Sequence, residues 1–339
     1  MIDFALLALG YDDGFAAALQ GLGTSGRVAR LDRGACLVLT ADGLVSATMD
    51  RRVDVAAGDW VAVADGAVAA VAPRRSAITR AQPSGAGASQ VLAVNIDLVF
   101  VVCGLDRPLR PGRLERSVVL AWASGAEPVL VLTKADLAAD PDLAAGEAAG
   151  LVPGVSVHVT SAATGLGIDD LAGLLAGHRT AALLGESGAG KSTLANRMAG
   201  SEVLATAPVR SGDARGRHTT TARHLVPLPG GGVLLDTPGL RQLGLWSGED
   251  GMAAAFADIE ALAAACRFSD CAHGSEPGCA VTAAIESGDL PARRLAGFAK
   301  LSRELEHQAG VVSEHERRQR GRQGQRAYRA AIEAKRRDR

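Results

Sequence analysis

Hydrophobic and polar positions change rhythm along this chain, and each rhythm predicts a different kind of structure. Between residues 26 and 71 the apolar residues come in short runs: Arg27-Val28-Ala29-Arg30-Leu31, Ala35-Cys36-Leu37-Val38-Leu39, Leu44-Val45-Ser46-Ala47-Thr48 and Gly58-Asp59-Trp60-Val61-Ala62-Val63. Turn signals separate them, at Asp32-Arg33-Gly34, Asp42-Gly43 and Asp65-Gly66. About five short strands in so small a span predict a β-barrel, with the OB-fold as the natural candidate. The residues before it hold one amphipathic piece, Phe15-Ala16-Ala17-Ala18-Leu19.

From residue 93 the pattern becomes continuous apolar runs separated by helical stretches. Asp97-Leu98-Val99-Phe100-Val101-Val102-Cys103, Pro128-Val129-Leu130-Val131-Leu132, Val155-Ser156-Val157-His158-Val159, Thr180-Ala181-Ala182-Leu183-Leu184 and Gly232-Val233-Leu234-Leu235 read as strands buried on both faces. Helical stretches fall at 114–122, 169–175 and 193–198. Strands alternating with helices predict a doubly wound parallel sheet. After residue 248 the chain turns helical, with one Ala-rich helix over 252–265 and another over 291–308. These shifts divide the chain into an N-terminal segment and barrel (1–75), a linker rich in Gly, Ser, Pro and Ala (76–92), an α/β domain (93–247), a helical domain (248–315) and a tail (316–339).

Composition sharpens this picture in two places. No apolar run approaches the roughly 18 residues of a membrane span, and the opening Met1-Ile2-Asp3-Phe4 lacks a basic leader. With five cysteines, an odd number, the expectation is a cytoplasmic protein with reduced thiols and no membrane partner; a monomer is expected. Net charge is −1, yet residues 316–339 carry ten Lys/Arg against three Asp/Glu. A basic tail of that kind points to a polyanionic partner.

The chemistry centres on Gly185-Glu186-Ser187-Gly188-Ala189-Gly190-Lys191-Ser192, which fits G-x-x-x-x-G-K-[ST] between a strand and a helix that continues through Thr193. Glycines let the backbone curl its N–H groups toward phosphate oxygens, and the following helix adds its positive N-terminus. Lys191 supplies a cation for the β and γ phosphates, and the Ser192 hydroxyl is a ligand for Mg²⁺. Asp236-Thr237-Pro238-Gly239 closes a later strand. Asp236 there is suited to hold Mg²⁺ through water, and the Gly239 amide to sense the γ-phosphate. Between these motifs lies a polar, glycine-punctuated loop, Gly212 to Thr221. One of Thr219, Thr220 and Thr221 is expected to reach Mg²⁺ when the loop orders; chemistry does not choose among them, and Thr220 is taken as the middle one.

Base selection falls to Thr133-Lys134-Ala135-Asp136 and Thr160-Ser161-Ala162, each at a strand end. The Asp136 carboxylate can accept both N1–H and N2–H₂ of guanine, a pair of donors that adenine lacks. The Lys134 stem covers the base, and a backbone N–H at Ser161 or Ala162 suits guanine O6. These elements precede the P-loop, whereas in ordinary P-loop GTPases they follow it. The order is that of a circular permutation, which leaves a fold intact when the old ends lie close together. Farther on, Cys266, Cys271, His273 and Cys279 offer three thiolates and an imidazole, a complete tetrahedral set for one structural Zn²⁺. Cys36 and Cys103 sit in apolar strands and read as core.

Taken together, these motifs resemble the bacterial circularly permuted GTPases of the RsgA/YjeQ family, which depend on the small ribosomal subunit. The resemblance runs from about Gly26 to Phe298 and includes Gly58-Asp59-Trp60, Pro73-Arg74, Asn95-Ile96-Asp97, Gly216-Arg217-His218-Thr219-Thr220-Thr221 and the Cys/His spacing. It implies an OB-fold, a permuted GTPase domain and a zinc-binding helical domain. It also implies GTP hydrolysis to GDP stimulated by the small subunit, and a role in that subunit's late maturation with contact to its rRNA. Two positions stand out. Thr133 occupies a place where Asn normally braces nucleotide and P-loop, and its shorter hydroxyl is expected to brace less well. Leu240 follows Gly239 where Ras-like GTPases carry a water-orienting Gln, which leaves His218, titratable near neutral pH, as the candidate within the chain. The competing classes are an RNA-binding module with nucleotide as a conformational ligand, and a P-loop ATPase, which Asp136 disfavours.

Overall fold

A computed structural model describes residues 3–50, 52–81, 89–204, 224–236, 249–274 and 276–307. Two short helices, α1 (Phe4–Ala8) and α2 (Asp13–Leu19), open the chain, with Asp3 and Asp12 capping their N-termini. Sequence periodicity reveals only part of the second. Strands β1 (Thr24–Asp32), β2 (Ala35–Thr40), β3 (Gly43–Thr48), β4 (Trp60–Ala64) and β5 (Ala67–Val71) then close a barrel in the order β1-β2-β3-β5-β4. Val28, Cys36, Val38, Ala47, Val61 and Val68 fill it. Burial pushes the Cys36 thiol up to about 11, as befits a core residue. Trp60 faces the other way, against Tyr11 and Phe15, and so seats α2 on the barrel wall.

The stretch read as a linker carries structure. Strands β6 (Ala77–Ala81) and β7 (Ser89–Val94) pair antiparallel, with Ile78, Leu92, Ala93 and Val94 buried. The intervening Gly, Ser and Ala residues mask this pairing in the composition, because the apolar positions are split between the two ends.

The α/β domain is a six-stranded sheet. Its strands are β8 (Leu98–Gly104), β9 (Glu127–Thr133), β10 (Ser156–Val159), β11 (Thr180–Gly185), β12 (His224–Pro227) and β13 (Val233–Asp236), in the order β10-β9-β8-β11-β13-β12. All neighbours run parallel except β12, which pairs antiparallel with β13. Helices α3 (Pro111–Ala123) and α4 (Pro141–Leu151) pack on one face; α5 (Ile168–Gly173) and α6 (Lys191–Ala199) pack on the other. With both faces covered, the strands need unbroken apolar runs, which is what they have.

The Ala-rich helix expected over 252–265 is in fact two, α7 (Glu249–Ala255) and α8 (Ala257–Ala263). The break is at Phe256, whose backbone leaves the helical region (φ −120°, ψ 35°). Its ring is fully buried, under the Arg294 guanidinium and edge-on to Phe298. Helix α9 (Ala280–Ser287) and a helix over residues 292–307 complete this region. Arg294 is itself buried; it pairs with Asp258 and Glu115 and donates to the Ala255 carbonyl, tying the C-terminal helices to α3.

One buried cation joins the barrel to the sheet. Arg27 of β1 donates to the Gly58 carbonyl (3.3 Å), the Asn95 carbonyl (2.9 Å), the Thr180 hydroxyl (2.8 Å) and the Leu9 carbonyl. Its pKa is lowered to about 10, because burial disfavours the charge more than Asp97 and Asp59 favour it. It therefore stays charged at neutral pH. Replacing it with methionine fills the volume but leaves these buried acceptors without a donor. Arg27→Met is expected to cost about 3 kcal/mol, read as a fall in the urea midpoint; a midpoint equal to wild type would show that the cation is dispensable.

Candidate functional site

The candidate site lies along the edge of the sheet where the parallel strands end, the usual position for ligands in such folds. Strand β11 runs into the glycine-rich loop, and α6 begins at Lys191. Gly190 caps the helix with φ 92°, a conformation suited to glycine. Gly185 is required for a different reason: a Cβ there would lie 2.3 Å from the Val102 carbonyl oxygen of the neighbouring strand. The loop thus passes flush against β8. Lys191 Nζ donates to the carbonyls of Gly185 (2.9 Å) and Glu186 (2.7 Å). Ser192 and Thr193 occupy the first turn of α6. Asp236 ends β13, in register with Leu183 of β11, so it sits beside the loop.

The residues expected to read the base lie on the same edge. The Thr133 hydroxyl at the end of β9 donates to the Ala189 carbonyl at 2.5 Å, and a Cβ on Gly190 would lie 3.3 Å from that hydroxyl. The shorter threonine therefore does reach the phosphate loop. Lys134 adopts a left-handed backbone (φ 61°, ψ 37°), which turns the chain into a short 3₁₀ segment over Ala135–Leu137. Its Nζ is held by Asp106 at 2.8 Å. Arg107 first, then Lys134, holds the Asp106 carboxyl down at about 2. Asp136 accepts from the Ser161 hydroxyl, and the Ala135 amide donates to the Thr160 carbonyl. Ala162 follows in the same partly buried turn. Thr133, Lys134, Asp136, Ser161 and the loop from Gly185 to Ser192 are thus brought together although 52 residues separate Thr133 from Gly185. His218, Thr219, Thr220, Thr221, Gly239, Leu240 and the tail 316–339 lie outside the described residues.

Sequence reasoning missed Asp106 and the arginines at 107, 110 and 113 that gather around Glu186. A signal was present: all follow immediately on the end of a buried parallel strand, where functional residues collect.

The second cluster lies between α8 and α9. Cys266, Cys271, His273 and Cys279 place their ligand atoms within 4.8 Å of one another. Cys266 Sγ is 3.9 Å from Cys279 Sγ, and His273 Nδ1 is 3.7 and 3.6 Å from the two sulfurs. Tetrahedral zinc needs edges of about 3.8 Å between sulfurs and about 3.6 Å from sulfur to nitrogen, so the donor set fits that ion. Burial works to raise the Cys279 thiol, but hydrogen bonds from Thr282 and His273 outweigh it and bring it to about 6. Cys103 belongs to neither cluster; burial raises its thiol to about 11.

Known proteins resemble this chain in sequence and in fold. Residues 71–246 match the family model described as RsgA GTPase. A protein of Streptomyces coelicolor named "Small ribosomal subunit biogenesis GTPase RsgA" is 48% identical over 318 residues, covering 88% of this chain and 86% of the relative. One of Opitutus terrae with the same name is 44% identical, covering 95% and 97%. Among solved structures, YjeQ from Thermotoga maritima superposes with a TM-score of 0.62 at 24% identity, over 83% of this chain and 98% of that one. YloQ, described as a circularly permuted GTPase, gives 0.59 at 22%, over 84% and 95%.

The Thr133 brace yields a direct expectation. Thr133→Val keeps the shape and removes the donor, leaving the Ala189 carbonyl unpaired. GDP affinity should fall roughly fivefold, about 1 kcal/mol, in calorimetric titration; unchanged affinity would mean that the brace does not support the loop.

Proposed function

The chain belongs to the RsgA GTPase family, and on that premise we propose that it acts in biogenesis of the small ribosomal subunit, hydrolysing GTP to GDP and phosphate at the edge where β8, β9, β11 and β13 end. The observation that carries this reading is the Thr133–Ala189 hydrogen bond, which makes the base-reading strand end and the phosphate loop one site. In this reading Asp136 accepts the guanine donors, with Ser161 steadying its carboxylate, and Lys134 lies along the base, steadied by Asp106. Backbone amides from Gly185 to Ser192 surround the phosphates.

Lys191 leaves the loop carbonyls for the β and γ phosphates and offsets the charge that develops in transfer. Ser192 directly, and Asp236 through water, would hold Mg²⁺, which would supply charge neutralisation for the transfer when bound. Thr220 is proposed to approach the same ion and His218 to orient the attacking water, since Leu240 has no group to do so.

The finer assignments follow from the same premise. Cys266, Cys271, His273 and Cys279 are proposed to hold one Zn²⁺ per chain, which fixes the α8–α9 junction without chemistry of its own. The units 1–75, 93–247 and 248–315 are proposed as barrel, GTPase and zinc-binding domains, acting in a cytoplasmic monomer. Among the described residues no helix is long and apolar enough to cross a membrane. The barrel, the helical domain and the basic tail 316–339 are proposed to contact rRNA, with subunit docking stimulating turnover.

Turnover of GTP measured with and without small subunits tests the reading. Addition of subunits should raise the rate, and Lys191→Ala should abolish it; a rate that ignores subunits would contradict a role on that partner. Deleting 316–339 should weaken subunit binding and flatten its salt dependence, because fewer counterions are released. Metal analysis should give about one zinc per chain, and Cys271→Ser should lose it and unfold the C-terminal helices. A folded, zinc-free wild-type domain would overturn the metal assignment.

A further inference from the structure

Glu186 is the second residue of the phosphate loop, an awkward place for an acid. A bare carboxylate beside a triphosphate repels it. The surroundings counter that repulsion. Arg113 pairs directly with the Glu186 carboxylate and Arg110 lies 3.9 Å from it, while Arg107, whose nearer partner is Asp106 at 3.1 Å, lies 3.7 Å from it. All three arginines come from one short segment, spaced three residues apart. Arg107 is in the loop after β8, Arg110 is the N-cap of α3, and Arg113 is in that helix's first turn. Pro111 begins the helix and sets where the guanidinium groups start.

Helix α3 is in turn fastened to the C-terminal helices. Glu115 is buried against Arg294 at 3.5 Å, and Arg116 pairs with Glu304. Glu186 is also held through its main chain, since its carbonyl accepts from Lys191 Nζ. One residue thus has its backbone on the phosphate-binding lysine and its side chain among three arginines of the loop after β8 and the start of α3.

We propose that the arginines gathered at Glu186, Arg113 foremost, serve triphosphate binding by cancelling the charge of its carboxylate, so that the phosphates can approach the loop. The proposal rests on the GTPase reading above. It makes a prediction of sign that a purely structural contact does not. Removing an arginine exposes the acid and harms substrate binding, and neutralising the acid as well undoes the harm.

The test is steady-state GTP turnover by wild type, Arg113→Ala, Glu186→Gln and the double variant, in low and high salt. Arg113→Ala should raise KM about tenfold with kcat within about twofold, and the defect should shrink at high salt, where exposed charges are screened. The double variant should return KM to within about threefold of wild type. Arg110→Ala, more exposed, should show the same pattern more weakly and serves if Arg113→Ala does not fold. An unchanged KM in the arginine variants, or a double variant as impaired as the single, would overturn the proposal. Failure of the GTPase reading is distinguishable, because wild type itself would then not turn over GTP.

Discussion

The parallel pairing of β11 between β8 and β13 is the constraint on which the rest of the site depends. It sets Gly185 beside Val102 and Leu183 beside Asp236. From that register the phosphate loop, the strand-terminal acid and the ends of β8 and β9 fall on one edge. Hydrogen bonding between strands takes no account of the order in which the chain supplies them. That is why the strands proposed to read the base can precede the glycine-rich loop here and still meet it, through Thr133 and Ala189. The circular permutation is a change of connectivity laid over an unchanged set of contacts.

The permutation also decides what the sheet is fastened to. Arg27 reaches from the barrel to Thr180, the first residue of β11, so the barrel grips the P-loop strand at the end opposite its catalytic edge. Helix α3 meets Glu186 through its first turn and the C-terminal helices through Glu115 and Arg116. The edge that carries the proposed nucleotide site is therefore held from two sides. Both attachments are charged groups in confined settings, where the loss of one partner leaves the other unsatisfied. Rigid attachment of this kind is what a GTPase needs if docking on a partner is to be felt at the phosphates.

Much of this was legible in the sequence, for physical reasons. Continuous apolar runs marked β8, β9 and β11 because strands covered on both faces have no polar side to display. The phosphate-loop pattern, the residues proposed to read guanine and the Cys/His set stood out by spacing, and the fold brings the members of each set together. What stayed hidden was set by tertiary partners. The break at Phe256 depends on Arg294 and Phe298, which lie far along the chain. The strands β6 and β7 need each other to be recognised. The contact of the Thr133 hydroxyl with Ala189, at 2.5 Å, depends on the close passage of the loop past β9, which no local pattern displays. Asp106 and the arginines of α3 are common residue types that acquire meaning only from the strand end on which they stand.

In the function proposed above, strand ends from both sides of the permutation form a single guanine-nucleotide site. Calorimetric titration of the purified chain with GDP and, separately, with ADP, in the same buffer with Mg²⁺, tests it most directly. GDP should bind at one site per chain, and ADP at least roughly thousandfold more weakly, because adenine leaves the Asp136 carboxylate without its two donors. Comparable affinities for the two nucleotides would show that the phosphate loop works alone and that Thr133, Lys134 and Asp136 do not read the base.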